Sequence, residues 1–238
     1  MIAAEDTRVT SFLCQKIGLK KPLLSLQKFN EKKRIQHLLN ELKKGKNIAL
    51  VSDAGTPLIS DPGALLIQEL SKENIDIIPI PGPSAVTTLL SVAGVNADKY
   101  IFAGFFPKKK QEAVDLFKNT RSLNMPIVFF DSPKRILGNL EWLKDNIKIK
   151  SCCVAKELTK AYESILTGSI DMLIEQLNKM TVKGEFCFVI QQEESVLEIN
   201  TDLIDSLKEQ GLTTKQILAV TAQLNYPKNQ VYPLITKK

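Results

Sequence analysis

Short continuous apolar runs alternate along this chain with stretches whose apolar residues return every three or four positions, the pattern of buried strands followed by amphipathic helices. Val9 to Ile17 reads as a short helix closed by Gly18. Glu31 to Lys44 reads as a second, with Ile35, Leu38, Leu39 and Leu42 on one face and Gly45 at its end. Asn47 to Val51 is an apolar strand, Ala64 to Lys72 a helix, Ile75 to Ile80 a strand and Ser84 to Val92 a helix. Asp61-Pro62-Gly63 opens the helix at Ala64, with Asp61 at the capping position and Pro62 in the first turn. The alternation is that of a parallel α/β sheet.

The pattern restarts near Asp98. Tyr100 to Ala103 is a strand, Lys109 to Thr120 a helix, Pro126 to Phe130 a strand and Pro133 to Trp142 a helix. Strands at Ser151 to Lys156, Tyr162 to Thr167 and Glu185 to Gln191, with a helix from Ile170 to Leu177, then follow with short connections, which predicts a mixed sheet. The end of the chain is polar and helical: Leu203 to Lys208, a turn at Gly211, Thr213 to Leu224 capped by Thr213 or Thr214, and a last helix from Tyr226-Pro227. Three parts are expected: an α/β domain over 1–97, a mixed α/β domain over 98–196 and a helical tail over 197–238, which reads as a helix-turn-helix appendage or a packing tail.

The 238 residues are 44% apolar and 24% charged, ordinary for a folded globular protein. No run approaches the ~20 apolar residues that cross a bilayer, and the start lacks the basic and long apolar stretches of a signal peptide, so a cytoplasmic protein without membrane contact is expected. Cys14, Cys152, Cys153 and Cys187 form no Cys-x-x-Cys pair, so neither a disulfide framework nor a metal site is expected. The single histidine, His37, lies in a polar helical run and reads as a solvated surface residue, so any chemistry must proceed without histidine. A net charge of +6 is compatible with a polyanionic partner. Basic residues cluster at Lys28/Lys32/Lys33/Arg34, Lys43/Lys44/Lys46 and Lys108-Lys109-Lys110.

Two loops concentrate turn residues directly after apolar strands: Ser52-Asp53-Ala54-Gly55-Thr56-Pro57 and Pro79-Ile80-Pro81-Gly82-Pro83-Ser84. Ligands of open α/β sheets bind outside the carboxyl ends of the strands, so these loops predict a pocket whose backbone comes close to a small polar molecule. The sequence holds no Gly-x-Gly-x-x-Gly, no Gly-x-x-x-x-Gly-Lys-Ser/Thr and no His-Glu-x-x-His, which disfavours the usual dinucleotide, triphosphate and zinc-hydrolase chemistries.

Six ordered motifs carry a family resemblance. They are Ile2-Ala3-Ala4-Glu5-Asp6-Thr7-Arg8, the run from Ala49 to Gly63, Pro81-Gly82-Pro83-Ser84-Ala85, Phe102 to Pro107, Phe129-Phe130-Asp131-Ser132-Pro133-Lys134-Arg135 and Ala155 to Lys160. Together they resemble the ribosomal RNA small subunit methyltransferase I branch of the tetrapyrrole methylase superfamily. The resemblance implies a two-domain α/β fold with a parallel-sheet first domain, a mixed-sheet second domain and a small helical tail. It further implies a homodimer that binds S-adenosylmethionine between its domains and methylates the ribose 2′-oxygen of a decoding-region cytidine in 16S rRNA of the small ribosomal subunit. By position, Asp53, Ala54, Gly55, Thr56 and Ile59 inherit cofactor contacts in the first loop, Ser84 and Ala85 in the second, and Asp131 and Thr159 where the second domain closes. Relatives carry a further strand and a Gly-Asn-Leu loop before the segment that matches Ile2, and an upstream start is the expected explanation.

Because the cofactor carries the reactive methyl, the protein must align the attacking oxygen and accept its proton. Glu5, Asp6, Lys156 and Glu157 are the acid-base candidates, and Arg8 and Arg135 can grip phosphates as planar forks. Asp6 or Thr7 can equally cap the helix from Val9, and of Lys156 and Glu157 at most one should face the pocket, since strand side chains alternate. Arg34, Lys108, Lys109, Lys110 and Arg135 are the candidate RNA contacts. Two other readings stay open: methylation of a tetrapyrrole precursor, and an rRNA-binding protein without activity.

Overall fold

In a computed structural model of the chain, residues 1–193, 201–224, 226 and 228–236 are described. Residues 1–192 form one compact unit and residues 193–238 another.

The first unit contains two sheets. β1 (Ile2–Ala4), β2 (Leu23–Ser25) and β3 (Ala49–Val51) form a parallel sheet in the order β2-β1-β3. α1 (Thr7–Lys16) connects β1 to β2, and α2 (Glu31–Lys43) connects β2 to β3. α3 (Ala64–Lys72) packs on α2, so that Leu38, Leu39, Leu66 and Leu70 bury themselves against Ala3 and Leu26. One contact there is polar. The buried Glu31 carboxylate accepts the N–H of Leu66 at 3.0 Å and so satisfies one of the free donors at the start of α3.

The second sheet has five strands: β4 (Ile101–Phe105), β5 (Ile127–Asp131), β6 (Ile149–Lys156), β7 (Ser164–Gly168) and β8 (Phe186–Gln192), in the order β4-β5-β8-β6-β7. Only β4 and β5 are parallel; β8 and β6 run antiparallel to their neighbours, giving the mixed sheet expected from the short connections. Alternation divides its side chains. Ile127, Phe129, Cys152, Val154, Phe186 and Phe188 face a core with α5 (Lys110–Thr120), α6 (Ile136–Asn146) and α7 (Ile170–Asn178). Val128, Cys153, Ala155, Cys187 and Val189 face Val86, Leu89 and Leu90 of α4 (Ala85–Val92). Covered on both faces, the central strands read as continuous apolar runs.

Residues 201–236 add α8 (Thr201–Glu209), α9 (Thr214–Gln223) and α10 (Lys228–Thr236), which pack on one another. Thr213 and Gln216 form a reciprocal capping box at the start of α9. The expected boundary at 196–197 and Pro227, placed at the start of the last helix, lie outside the described residues.

Several expectations need correction. Ile75 to Ile80 is not a strand: the sheet stops at β3, no described strand supplies hydrogen bonds to the segment, and Ile78 and Ile80 remain about four-fifths exposed. β1 and β2, three residues each, were not anticipated, because so few residues display no period. Asp61 does not cap α3. The cap residue is Gly63, whose φ of 121° is open to glycine and strained for other residues.

Candidate active site

The ends of β1, β3, β4 and β5 open into one cavity of about 540 Å³. Glu5 enters from the end of β1, Asp53 to Asp61 from the loop after β3, and Pro83 to Ala85 from the start of α4. Phe105 follows from β4, Phe130 and Asp131 from β5, Ala155, Leu158, Thr159 and Lys160 from the end of β6 and the turn after it, and Glu185 to Cys187 from the opening of β8.

The two turn-rich loops are tied to each other. Thr56 Oγ1 donates to the carbonyl of Pro83 at 3.2 Å, and a Cβ on Gly82 would lie 3.3 Å from that hydroxyl, a contact tight enough to push the hydroxyl back. Gly55, at φ 70°, supplies the left-handed turn. Leu58 and Ser60, at φ 74° and 72°, hold the same conformation at the cost of strain and so fix Ile59 between them on the cavity wall. Lys28 Nζ donates to the Ser60 carbonyl at 2.8 Å and pins the loop from outside.

The wall is chemically divided. Ala85, Ala155, Leu158, Phe130, Phe186 and Cys187 form an apolar part. Glu5, Asp53, Asp61, Asp131 and Glu185 contribute carboxyls against the single ammonium of Lys160. Glu185 is neutralised by Lys160, which also bonds Glu157, both at 2.9 Å. The Asp131 carboxylate is held by Asn139 Nδ2 at 2.6 Å and the Ser132 N–H at 2.8 Å, with Arg135 Nε at 3.5 Å; burial nevertheless pushes its pKa up. Asp61 is raised to about 6 by burial first and then by Glu5, with Lys28 and the Ser52 hydroxyl opposing. Burial pushes the Cys187 thiol up to about 12, so it serves as wall and not as nucleophile.

Glu5 and all nine expected cofactor contacts, Asp53, Ala54, Gly55, Thr56, Ile59, Ser84, Ala85, Asp131 and Thr159, line this cavity. The other acid-base candidates do not. Asp6 caps α1 by accepting the Arg8 N–H at 2.8 Å and binds the Arg8 guanidinium, whose bonds hold its pKa down at about 2. Lys156 points to the opposite side, donating to the Thr181 carbonyl at 2.8 Å. Glu157 leaves the strand at φ 51° and accepts the Glu185 N–H at 2.8 Å and the Lys160 ammonium; the first of these bonds contributes most to its lowered pKa. Strand alternation allowed one of the pair to face the cavity, and neither does.

Among the basic candidates, Arg34 lies exposed on α2, and Lys108 and Lys109 lie exposed before α5. Lys110 Nζ turns inward to Asn139 Oδ1 at 2.9 Å and lies over the rings of Phe106 and Trp142, and Arg135 donates to the carbonyl of Phe106. Both are committed to internal partners. Asp61 and Phe105 are among the cavity residues that sequence reasoning missed, as are Lys160 and Glu185. The signal for Asp61 was present, since the Asp-Pro-Gly turn sits in the ligand loop as well as ahead of a helix.

Residues 1–174 match the family described as Tetrapyrrole (Corrin/Porphyrin) Methylases. The chain is 41% identical over 194 residues to the ribosomal RNA small subunit methyltransferase I of Thermotoga maritima, covering 82% of this chain and 87% of that protein. It is 35% identical to the protein of the same name from Buchnera aphidicola subsp. Acyrthosiphon pisum, covering 100% and 87%. The corresponding Synechocystis protein is 38% identical, covering 98% and 87%. Among solved structures, diphthine synthase superposes with a TM-score of 0.57 at 16% identity, covering 76% of this chain and 72% of that one. The methyltransferase CobJ superposes with a TM-score of 0.51 at 15% identity, covering 80% and 92%. Motifs, fold and relatives agree, and the chain belongs to the tetrapyrrole methylase family, in its ribosomal RNA small subunit methyltransferase I branch.

Proposed function

We propose that this protein transfers a methyl group from S-adenosylmethionine to the ribose 2′-oxygen of a decoding-region cytidine in 16S rRNA of the small ribosomal subunit. The observation that carries the reading is the divided cavity, apolar on one side and with more carboxyls than cations on the other, in a chain whose relatives bear the name of an rRNA methyltransferase.

The residues fit such a cofactor. Its adenine suits Ala85, Ala155, Leu158 and Phe186, while its ammonium and sulfonium charges suit Glu5 and Asp53. Once bound, S-adenosylmethionine supplies an activated methyl on a positively charged sulfur. What the chain adds is position and a proton acceptor. Asp61 is our assignment for that acceptor: it lines the cavity, and a carboxyl titrating near 6 is ionised at neutral pH yet more basic than an ordinary aspartate. Arg34, Lys108 and Lys109 hold substrate phosphates from outside the cavity.

Homodimerisation belongs to the same proposal. The outer face of α1 leaves Val9, Phe12, Leu13 and Ile17 between 45% and 66% exposed, apolar surface that a second copy would cover. None of the described helices is long and apolar enough to cross a membrane. A cytoplasmic location is part of this proposal and follows from the proposed ribosomal substrate.

Calorimetric titration with S-adenosylmethionine, followed by labelled methyl transfer to unmodified small subunits and to a tetrapyrrole precursor in parallel, tests the reading. Cofactor binding with label on subunits alone supports it. Label on the tetrapyrrole alone moves the substrate to the other branch of the family, and cofactor-free binding of subunits makes the chain a binding protein.

A further inference from the structure

The strand β4 contains an irregularity that reverses the faces taken by Phe105 and Phe106. Phe102 pairs with Val128 and Phe105 with Phe130, so β4 advances three residues while β5 advances two, and the extra residue falls at Ala103-Gly104. Gly104 takes φ 70°, as a bulge of this kind requires. Without the bulge, alternation would set Phe105 on the face opposite Phe102. With it, Phe105 joins Phe102 on the face of Phe130, with ring centroids of 5.8 Å and 4.9 Å to Phe130. The next residue, Phe106, is 1% exposed and takes the place in the core on the opposite face.

The redirected ring is not buried by its new position. Phe105 lines the cavity and keeps 55% of its surface exposed, so it stands where the cavity opens to solvent. Phe130 fixes it edge-to-face from one side and leaves a ring face free. Pro107 follows, and then the exposed Lys108 and Lys109. An open aromatic face followed by two exposed cations, Lys108 and Lys109, the latter in a loose surface ion pair with Glu112 at 3.5 Å, is an arrangement that can hold a nucleotide, the base on the ring and the phosphates on the ammonium groups.

We infer that Phe105 is a stacking platform for a nucleobase of the RNA substrate at the mouth of the cavity, with Lys108 and Lys109 taking the flanking phosphates. This inference rests on the rRNA reading above and adds the residue that positions the substrate.

The test compares the full chain with Phe105→Ala, Phe105→Leu and Phe105→Trp, measuring S-adenosylmethionine affinity by calorimetry and affinity for unmodified small subunits by filter binding. Stacking on one base is typically worth a factor of about ten to a hundred in affinity. Phe105→Ala and Phe105→Leu are therefore expected to weaken subunit binding by about that factor, and Phe105→Trp to retain it, with cofactor affinity unchanged in all three. Tryptophan fluorescence of Phe105→Trp should also be quenched on adding a single-stranded decoding-region oligonucleotide. Loss of cofactor affinity with subunit binding intact would assign the ring to the adenine and overturn the inference. Unchanged binding of both, in a wild type that binds both, would make Phe105 a packing residue and leave the rRNA reading standing. Absence of subunit binding by the wild type would overturn that reading itself.

Discussion

The carboxylate of Glu5 accepts the backbone N–H of Asp53 at 3.2 Å, and the carboxylate of Asp53 in turn accepts the N–H of Asp6 at 3.1 Å. The ends of β1 and β3 are thus cross-bonded where both enter the cavity. Removing the Glu5 acceptor frees the start of the ligand loop. Glu5→Ala should weaken S-adenosylmethionine binding by about tenfold, in keeping with the ~1.5 kcal/mol of a charged hydrogen bond. Glu5→Gln, which keeps an acceptor oxygen but no charge, should recover part of that loss in calorimetry.

Asp61 supplies a pH signature. Its folded pKa, about 6, lies above the ordinary aspartate value of 3.8, so the native state binds the proton more tightly than the unfolded chain. The sign follows: stability falls as pH rises from about 4 to about 6, and the cost persists above that window. Asp61→Asn should therefore raise the melting temperature at pH 8 by about 2–4 °C, corresponding to ~1 kcal/mol after allowance for solvent screening, and change it little at pH 4. The same substitution should lower kcat by about a hundredfold or more while cofactor affinity changes far less. The wild-type rate should rise with pH through about 6.

Asp131 is 3% exposed, and its carboxylate depends on Asn139. Asn139→Ala leaves that buried oxygen without its closest donor and also frees Lys110, so it should cost about 2–3 kcal/mol in urea unfolding. The double variant Asn139→Ala/Asp131→Asn should lose less than the sum of the single changes, because the charge left stranded by the first is absent in the second.

A Cβ at Gly184 would lie 2.5 Å from the Glu157 carboxyl, which Lys160 and the Glu185 N–H hold in place. With φ at 91° as well, Gly184→Ala should destabilise by about 2–3 kcal/mol. Adding Glu157→Ala should relieve the steric part, which thermal unfolding of both variants will detect.

The strand ends that build the site were legible because their signals are local: an apolar run, then glycine, proline and small hydroxyls. The loops Ser52 to Pro57 and Pro79 to Ser84 could be placed at a pocket on that basis, while the individual contacts, Ile59 and Ala85 among them, came from the family resemblance. What escaped depended on context. Asp61-Pro62-Gly63 reads locally as a helix start, and only the positive φ of Gly63 moves the cap and leaves Asp61 to the cavity. The strand period could not assign Glu157, because the chain leaves the strand in a left-handed turn at that residue. Phe105 was hidden for a related reason, since one extra residue in β4 reverses the face that simple alternation predicts. Ile75 to Ile80 has the composition of a strand, yet its place in a sheet depends on a neighbouring strand and not on its own residues.

The most direct measurement is the position of the methyl group. Unmodified small subunits are incubated with the protein and labelled S-adenosylmethionine, and the rRNA is cut by a base-specific ribonuclease to oligonucleotides that are mapped by mass spectrometry, with nucleoside analysis of the labelled fragment. The account predicts a single 2′-O-methylcytidine in the decoding region, formed by the wild type and lost with Asp61→Asn. A methyl on a base, or no methyl on rRNA from protein that binds the cofactor, would contradict it.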